Sequence, residues 1–141
     1  MLFGNYKHSI DKKGRVSIPA KFRDELGESF MICLDYTGSR CLRAYSMKSW
    51  ENLVEQIAQL PNVKSTKVRR YLYANAFNVE LDSLGRILIP ATLREQVELE
   101  GEAQIVGIDA YLEIWNTELW ANENEVTTSE SVAQIMEELN F

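Results

Sequence analysis

Asp11-Lys12-Lys13-Gly14-Arg15-Val16-Ser17-Ile18-Pro19-Ala20 returns seventy-one residues later as Asp82-Ser83-Leu84-Gly85-Arg86-Ile87-Leu88-Ile89-Pro90-Ala91. Widened to 8–23 and 79–94, the two stretches align without gaps, and seven of sixteen positions are identical. Ile10/Leu81, Val16/Ile87 and Phe22/Leu93 are apolar exchanges. A looser match continues at an offset of 70, where Leu42, Tyr45 and Trp50 face Leu112, Trp115 and Trp120. Two copies are too few to stack as a solenoid. They predict two halves of one pseudo-symmetric fold. The first half is residues 1–77, a β-rich repeat followed by two helices; the second is 78–141, the same repeat with a C-terminal helix.

Each copy reads as strand, tight turn, strand, short helix and hairpin. Tyr6 to Ile10 predicts a strand, and Asp11 to Gly14 a turn in which Gly supplies a positive φ. Arg15 to Ile18 returns with Val16 and Ile18 inward at period two. Pro19 suits the first turn of a helix, because its missing N–H has no partner there. Ala20 to Leu26 follows, ended by Gly27. Phe30–Leu34 and Cys41–Tyr45 form a hairpin across 35–40. The second copy repeats these as 78–81, 86–89, 91–97, 103–108 and 111–115. Ser46 is a candidate N-cap, after which Trp50, Leu53, Val54, Ile57 and Leu60 recur at helical spacing up to Pro61. Ser65 is a candidate cap for a helix through Ala76, and Thr117 for a shorter one holding Trp120. Val132, Ile135, Met136 and Leu139 make an apolar stripe on an acidic helix, facing either their own chain or a neighbouring subunit.

At 141 residues, 45% hydrophobic and 26% charged, the chain has the composition of a soluble globular protein. It shows no apolar run long enough to span a bilayer and no signal-peptide stretch at its start, which predicts a cytoplasmic location. Cys33 and Cys41 sit in apolar segments and read as buried free thiols. His8 stands alone, without the clustered Cys and His of a zinc site. Neither metal nor cofactor is expected. The net charge of −6 hides a segregation. Residues 1–75 hold 13 Lys+Arg against 7 Asp+Glu, a balance of +6, and residues 76–141 hold 2 against 14, a balance of −12. Exposed charges more than about 8 Å apart are screened at physiological salt, so a local basic face serves an anionic partner despite the acidic total.

The chemistry lies in the two Asp-x-x-Gly-Arg turns. Asp accepts backbone N–H bonds, Gly permits the turn, and Arg projects from a fixed place beside it. A guanidinium grips phosphate, or guanine O6 and N7 in the major groove, through paired bonds. Lys12 and Lys13 add charge to the first loop, whereas Ser83 and Leu84 occupy those places in the second. Candidate DNA-contacting residues are therefore Arg15, Arg86, Asp11, Asp82, Lys12 and Lys13. Fold alone accounts for Gly14, Gly85, Pro19 and Pro90. The competing role for Arg15 and Arg86 is an ion pair with Asp11 and Asp82 inside the same loop. Arg23 and Arg94, on the short helices, read as structural ion-pair partners.

Asp-x-x-Gly-Arg-[Val/Ile]-x-Ile-Pro resembles the signature of the AbrB-like, swapped-hairpin barrel family of bacterial regulators. Both copies stand in one chain here, and the opening Met1-Leu-Phe-Gly-Asn-Tyr-Lys-His-Ser-Ile-Asp11 resembles the double-copy members of that family. The resemblance covers nearly the whole chain. It implies an α+β, mainly β fold: a swapped-hairpin barrel built from two tandem repeats, with flanking helices. It also implies a homo-oligomeric ring, nucleoid association and control of the chain's own division and cell-wall operon through short promoter repeats of double-stranded DNA. Arg15 and Arg86, with Asp11 and Asp82 beside them, would make the contacts.

Two other classes compete. An enzyme would need Asp11 and Asp82 as an acid–base pair, but the chain has no nucleophile–base set, no phosphate-binding glycine loop and no metal cluster, so neither enzymatic activity nor a small-molecule substrate is expected. An antitoxin-like protein-interaction module is the remaining alternative, since related folds also serve that way.

Overall fold

The computed structural model describes residues 1–140. Its strands are β1 (Leu2–Ser9), β2 (Arg15–Ser17), β3 (Ser29–Leu34), β4 (Leu42–Ser46), β5 (Phe77–Glu80), β6 (Arg86–Leu88), β7 (Glu102–Asp109) and β8 (Leu112–Asn116). Its helices are α1 (Ala20–Leu26), α2 (Met47–Ala58), α3 (Asn62–Ala74), α4 (Ala91–Gln96), α5 (Thr117–Val126) and α6 (Ser129–Glu137). The fold is α+β with antiparallel pairing. Among the described residues it has an open six-stranded sheet of order β1-β7-β8-β4-β3-β5 and a separate two-stranded ribbon, β2-β6. Neither sheet closes on itself.

The two copies exchange strands. β1 of the first pairs with β7 of the second, Tyr6 opposite Ile105, and β5 of the second pairs with β3 of the first, Phe30 opposite Val79. The hairpins β3-β4 and β7-β8 meet at the sheet centre, where Arg43 faces Glu113. That pair lies on the pseudo-twofold, since the two residues are seventy positions apart.

Period-two alternation gives the large sheet two faces. On one, Phe30, Ile32, Leu42, Ala44, Ile105, Leu112 and Ile114 join Val16 and Ile18 of the first copy and Ile87 and Ile89 of the second in one core, closed by Phe22 of α1 and Leu93 of α4. On the other, Cys33 and Tyr45 pack under Trp50 and Ile57 of α2 and Leu72 of α3. Beside them, Cys41, Val106 and Trp115 pack under Leu119 and Trp120 of α5. Both cysteines are free and buried. Among the described residues, no helix is long and apolar enough to cross a membrane.

Two helix starts differ from expectation. Ser65 lies inside α3, which begins after Pro61, and the Ser65 amide donates to the Pro61 carbonyl. Proline ahead of the first turn presets φ and needs no side-chain cap. Asn116, not Thr117, caps α5 by accepting from the Leu119 amide. Both misread hydroxyls, Ser65 Oγ and Thr117 Oγ1, are buried with no hydrogen-bond partner among the described residues. Ser46 caps α2 as expected, accepting from the Ser49 amide. The stripe Val132, Ile135, Met136 and Leu139 is exposed, and α6 buries none of its residues.

Candidate nucleic-acid interface

Each Asp-x-x-Gly-Arg segment is a closed loop. Asp11 N–H donates to the Arg15 carbonyl and Gly14 N–H to the Asp11 carbonyl; Asp82, Arg86 and Gly85 repeat the pattern. The Asp11 carboxylate accepts from the backbone amides of Lys13 (3.0 Å) and Arg15 (2.8 Å) through Oδ1. Its Oδ2 accepts from Arg15 Nε at 2.6 Å. Asp82 does the same with the amides of Leu84 and Arg86 and with Arg86 Nε at 2.8 Å. These bonds favour the charged carboxylates. The Arg15 backbone amide first, and its side chain after it, hold Asp11 down to about 2. The Arg86 amide likewise lowers Asp82.

So both arginines do pair with the aspartates of their own loops. The pairs are about one-third exposed on every side chain, at 35% and 36% for the first and 27% and 36% for the second. Exposed pairs of this kind contribute little stability. Their effect is directional. Nε is committed to the aspartate, and the terminal nitrogens have no hydrogen-bond partner among the described residues. A guanidinium carries five N–H donors, so each arginine is aimed by one of them and keeps its outer fork open.

The ribbon brings the two arginines to one face. β2 and β6 pair with Arg15 opposite Leu88, Val16 opposite Ile87, and Ser17 opposite Arg86. Val16 and Ile87 point into the core. Alternation then sends Arg15, Ser17, Arg86 and Leu88 to the outer side. Arg15 and Arg86 are diagonal neighbours there, a relation that sets such side chains about 7–8 Å apart. Lys12, Lys13, Ser83 and Leu84 are exposed at the loop tips. The second loop is more apolar, with Leu84 66% and Leu88 55% exposed.

Arg23 and Arg94 are not ion-pair partners, contrary to the sequence expectation. Arg23 Nε donates to the Ile18 carbonyl and Arg94 Nε to the Ile89 carbonyl, each just past the end of a ribbon strand. Their guanidiniums then cross the pseudo-twofold. That of Arg94 covers Gly14 and that of Arg23 covers Gly85, so closely that a Cβ on either glycine would collide with it. The backbone repeats the crossing, with Ile18 N–H donating to the Gly85 carbonyl and Ile89 N–H to the Gly14 carbonyl. Each copy thus builds the floor of the other's loop. The identity of Arg23 and Arg94 in the repeat was a signal for this role, but the sequence did not say which loop each would reach.

The described residues bring ligand atoms of Asp35, Cys41 and Glu113 together. The Asp35 carboxylate is already committed to Thr37, Ser39 and Arg43, the last at 2.7 Å. Burial keeps the Cys41 thiol protonated. The cluster is accounted for as a structural ion pair.

One protein family, described as "MraZ protein, putative antitoxin-like", matches twice, at residues 1–70 and 72–139. A protein of Caldicellulosiruptor saccharolyticus named "Transcriptional regulator MraZ" is 44% identical, with 100% of each chain covered. Same-named proteins of a Thermoanaerobacter species and of Alkaliphilus oremlandii are 40% and 43% identical, again over the full length of both chains. Among solved structures, the solution structure of PHS018 from Pyrococcus horikoshii is distantly similar, with a TM-score of 0.34 and 12% identity over 81% of this chain and 88% of that one. Matched at both of its copies and along its whole length, the chain belongs to the MraZ family.

Proposed function

We propose that the chain is a transcriptional regulator that binds double-stranded DNA through the outer face of the β2-β6 ribbon. The observation that carries this is the placing of Arg15 and Arg86 on one outward face, each aimed by its own aspartate with the terminal nitrogens open. The major groove is about 12 Å wide and admits a two-stranded ribbon. Two guanidinium forks grip guanine edges or flanking phosphates, Lys12 and Lys13 neutralise backbone on one side, and Leu84 and Leu88 meet thymine methyls on the other. Asp11 and Asp82 position the arginines and keep them from collapsing onto other acceptors. The names of the full-length relatives support the regulatory role.

The target is short repeated sites in the promoter of the chain's own division and cell-wall operon, acted on by a nucleoid-associated homo-oligomer. Assembly supplies what one chain lacks: a single ribbon offers few cations, and several ribbons on spaced repeats bind with avidity when geometry permits. The protein-interaction alternative draws on the exposed Leu84 and Leu88 beside Arg86, which would also suit an acidic, apolar protein partner.

Binding to the chain's own upstream DNA, compared with scrambled DNA of equal length across a salt series, tests this. Specific binding is expected, abolished in Arg15→Ala/Arg86→Ala while circular dichroism stays native. Unchanged affinity in that variant removes the site. Equal binding to both DNAs removes sequence-specific regulation.

A further inference from the structure

The two copies treat their outer helices differently. In the first, α2 and α3 fold together over Cys33 and Tyr45, burying Trp50, Ile57 and Leu72. The counterpart of α3, about seventy residues on, is α6, and it is left uncovered. Val132, Ile135, Met136 and Leu139 are 44%, 63%, 41% and 61% exposed. Val132, Ile135 and Met136 on α6, with Leu139 just past its end, make an apolar stripe at the spacing of a docking helix. A matching surface stands on the same chain: a cleft of about 470 Å³ between α2 and α3, lined by Leu53, Ile57, Val68, Tyr71, Tyr36 and Lys67.

Charge makes the match specific. α6 carries Glu130 and Glu137, with Glu138 just past its end, and no lysine or arginine. α3 carries Lys64, Lys67, Arg69 and Arg70, all exposed, and no acid. None of these charges has an ion-pair partner among the described residues. A basic apolar cleft and an acidic apolar helix are complementary in both terms.

α6 follows α5, which packs on β7 and β8, whereas the cleft lies over β3 and β4. Only Thr127 and Thr128 join α5 to α6, about 7 Å of reach. We infer that α6 of one chain docks, acidic flanks and apolar stripe, into the α2–α3 cleft of another copy. This deepens the proposed function and rests on its assembly part. Repeated head to tail, helix into cleft, the contact makes a ring where its rotation closes; exchanged reciprocally, it makes a twofold pair.

Light scattering on the full chain tests it, with two exposed-site variants: Ile135→Asp on the helix and Lys64→Glu/Lys67→Glu on α3, where Lys67 lines the cleft. Wild type is expected to exceed the mass of one chain, and each variant to fall to that of one chain with unchanged circular dichroism. Mixing the two variants restores one good helix to one good cleft, and a two-chain species is expected. Wild type at single-chain mass ends both the assembly reading and the docking. An assembled wild type with Ile135→Asp still assembled, or a mixture that stays at one chain, ends the docking alone. So does a Lys64→Glu/Lys67→Glu variant that keeps the wild-type mass but loses DNA, because α3 would then serve the double helix instead.

Discussion

Arg94 lies over Gly14 of the opposite copy, its guanidinium occupying the space a side chain at that glycine would need. Gly14 has φ +91°, so an L-residue there is strained as well as obstructed. Gly14→Ala would cost about 1–2 kcal/mol in backbone strain and displace a charged hydrogen bond worth about 1.5–3 kcal/mol. A loss of about 2.5–5 kcal/mol in urea unfolding is expected. Gly85→Ala, with φ +77° beneath Arg23, should behave alike. A loss below about 1 kcal/mol at both sites would mean that the crossed arginines do not hold the loops.

The Asp11–Arg15 bond should survive mild acid. Asp11 is held at about 2, below the ordinary value near 3.9 of an unfolded chain. Its contribution to loop order is therefore fully present above about pH 4 and lost as pH falls through about 2. The Arg15 Nε–H resonance, followed by NMR, should shift with a midpoint near the lower value. A midpoint near 4 would show a carboxylate that the Arg15 and Lys13 amides do not hold.

The two loops should contribute unequally to salt dependence. Each phosphate neutralised adds about −0.9 to the slope of log K against log salt. Lys12→Ala/Lys13→Ala should thus make the slope shallower by about 2 and weaken all sequences alike. Leu84→Ser should leave the slope unchanged and relax base preference only. An equal slope change from both variants would contradict the asymmetry seen between Lys12-Lys13 and Ser83-Leu84.

The repeat made much of this legible. Asp11, Gly14, Arg15 and their partners announce the loop because turn chemistry is local: an acceptor, a residue tolerant of positive φ and a projecting side chain lie within five positions. The short helices were readable from Pro19 and Pro90 for the same reason. What stayed hidden depends on long-range register. No local signal says that β1 crosses to β7, or that Arg23 reaches over Gly85 rather than pairing with an acid. The caps at Ser65 and Thr117 were misread because proline at 61 and asparagine at 116 compete with them, and the choice is set by where each chain leaves the sheet.

Thiol chemistry should report unfolding. Burial pushes the Cys33 thiol up to about 12 and the Cys41 thiol higher still. The thiolate is the nucleophile, so alkylation at pH 8 should proceed only as fast as the sheet opens. Rates that follow the unfolding rate as urea is raised are expected. Prompt labelling of either cysteine in native buffer would contradict its packing under α2 or α5.

The strongest single dependence is expected at Arg43. Arg43 Nε meets Asp35 Oδ1 at 2.7 Å with side-chain exposures of 7% and 0%. Its Nη1 donates to the hydroxyls of Tyr36 and Tyr45, each at 3.0 Å, and its face lies 4.0 Å from the Tyr111 ring centre. Burial alone would raise the Asp35 carboxyl, yet the Thr37 amide and Arg43 hold it below its usual range. Arg43→Met would strand that charge, a change that costs about 3–5 kcal/mol when one partner of a buried pair is removed. Asp35→Asn in the Arg43→Met background should recover part of the loss, since no charge is then left unpaired. The double variant is therefore expected to unfold at higher urea than Arg43→Met alone. Should it unfold earlier, by the sum of the two single losses, the two residues would be independent contributors and Asp35 would not be what holds Arg43 in place within the first hairpin.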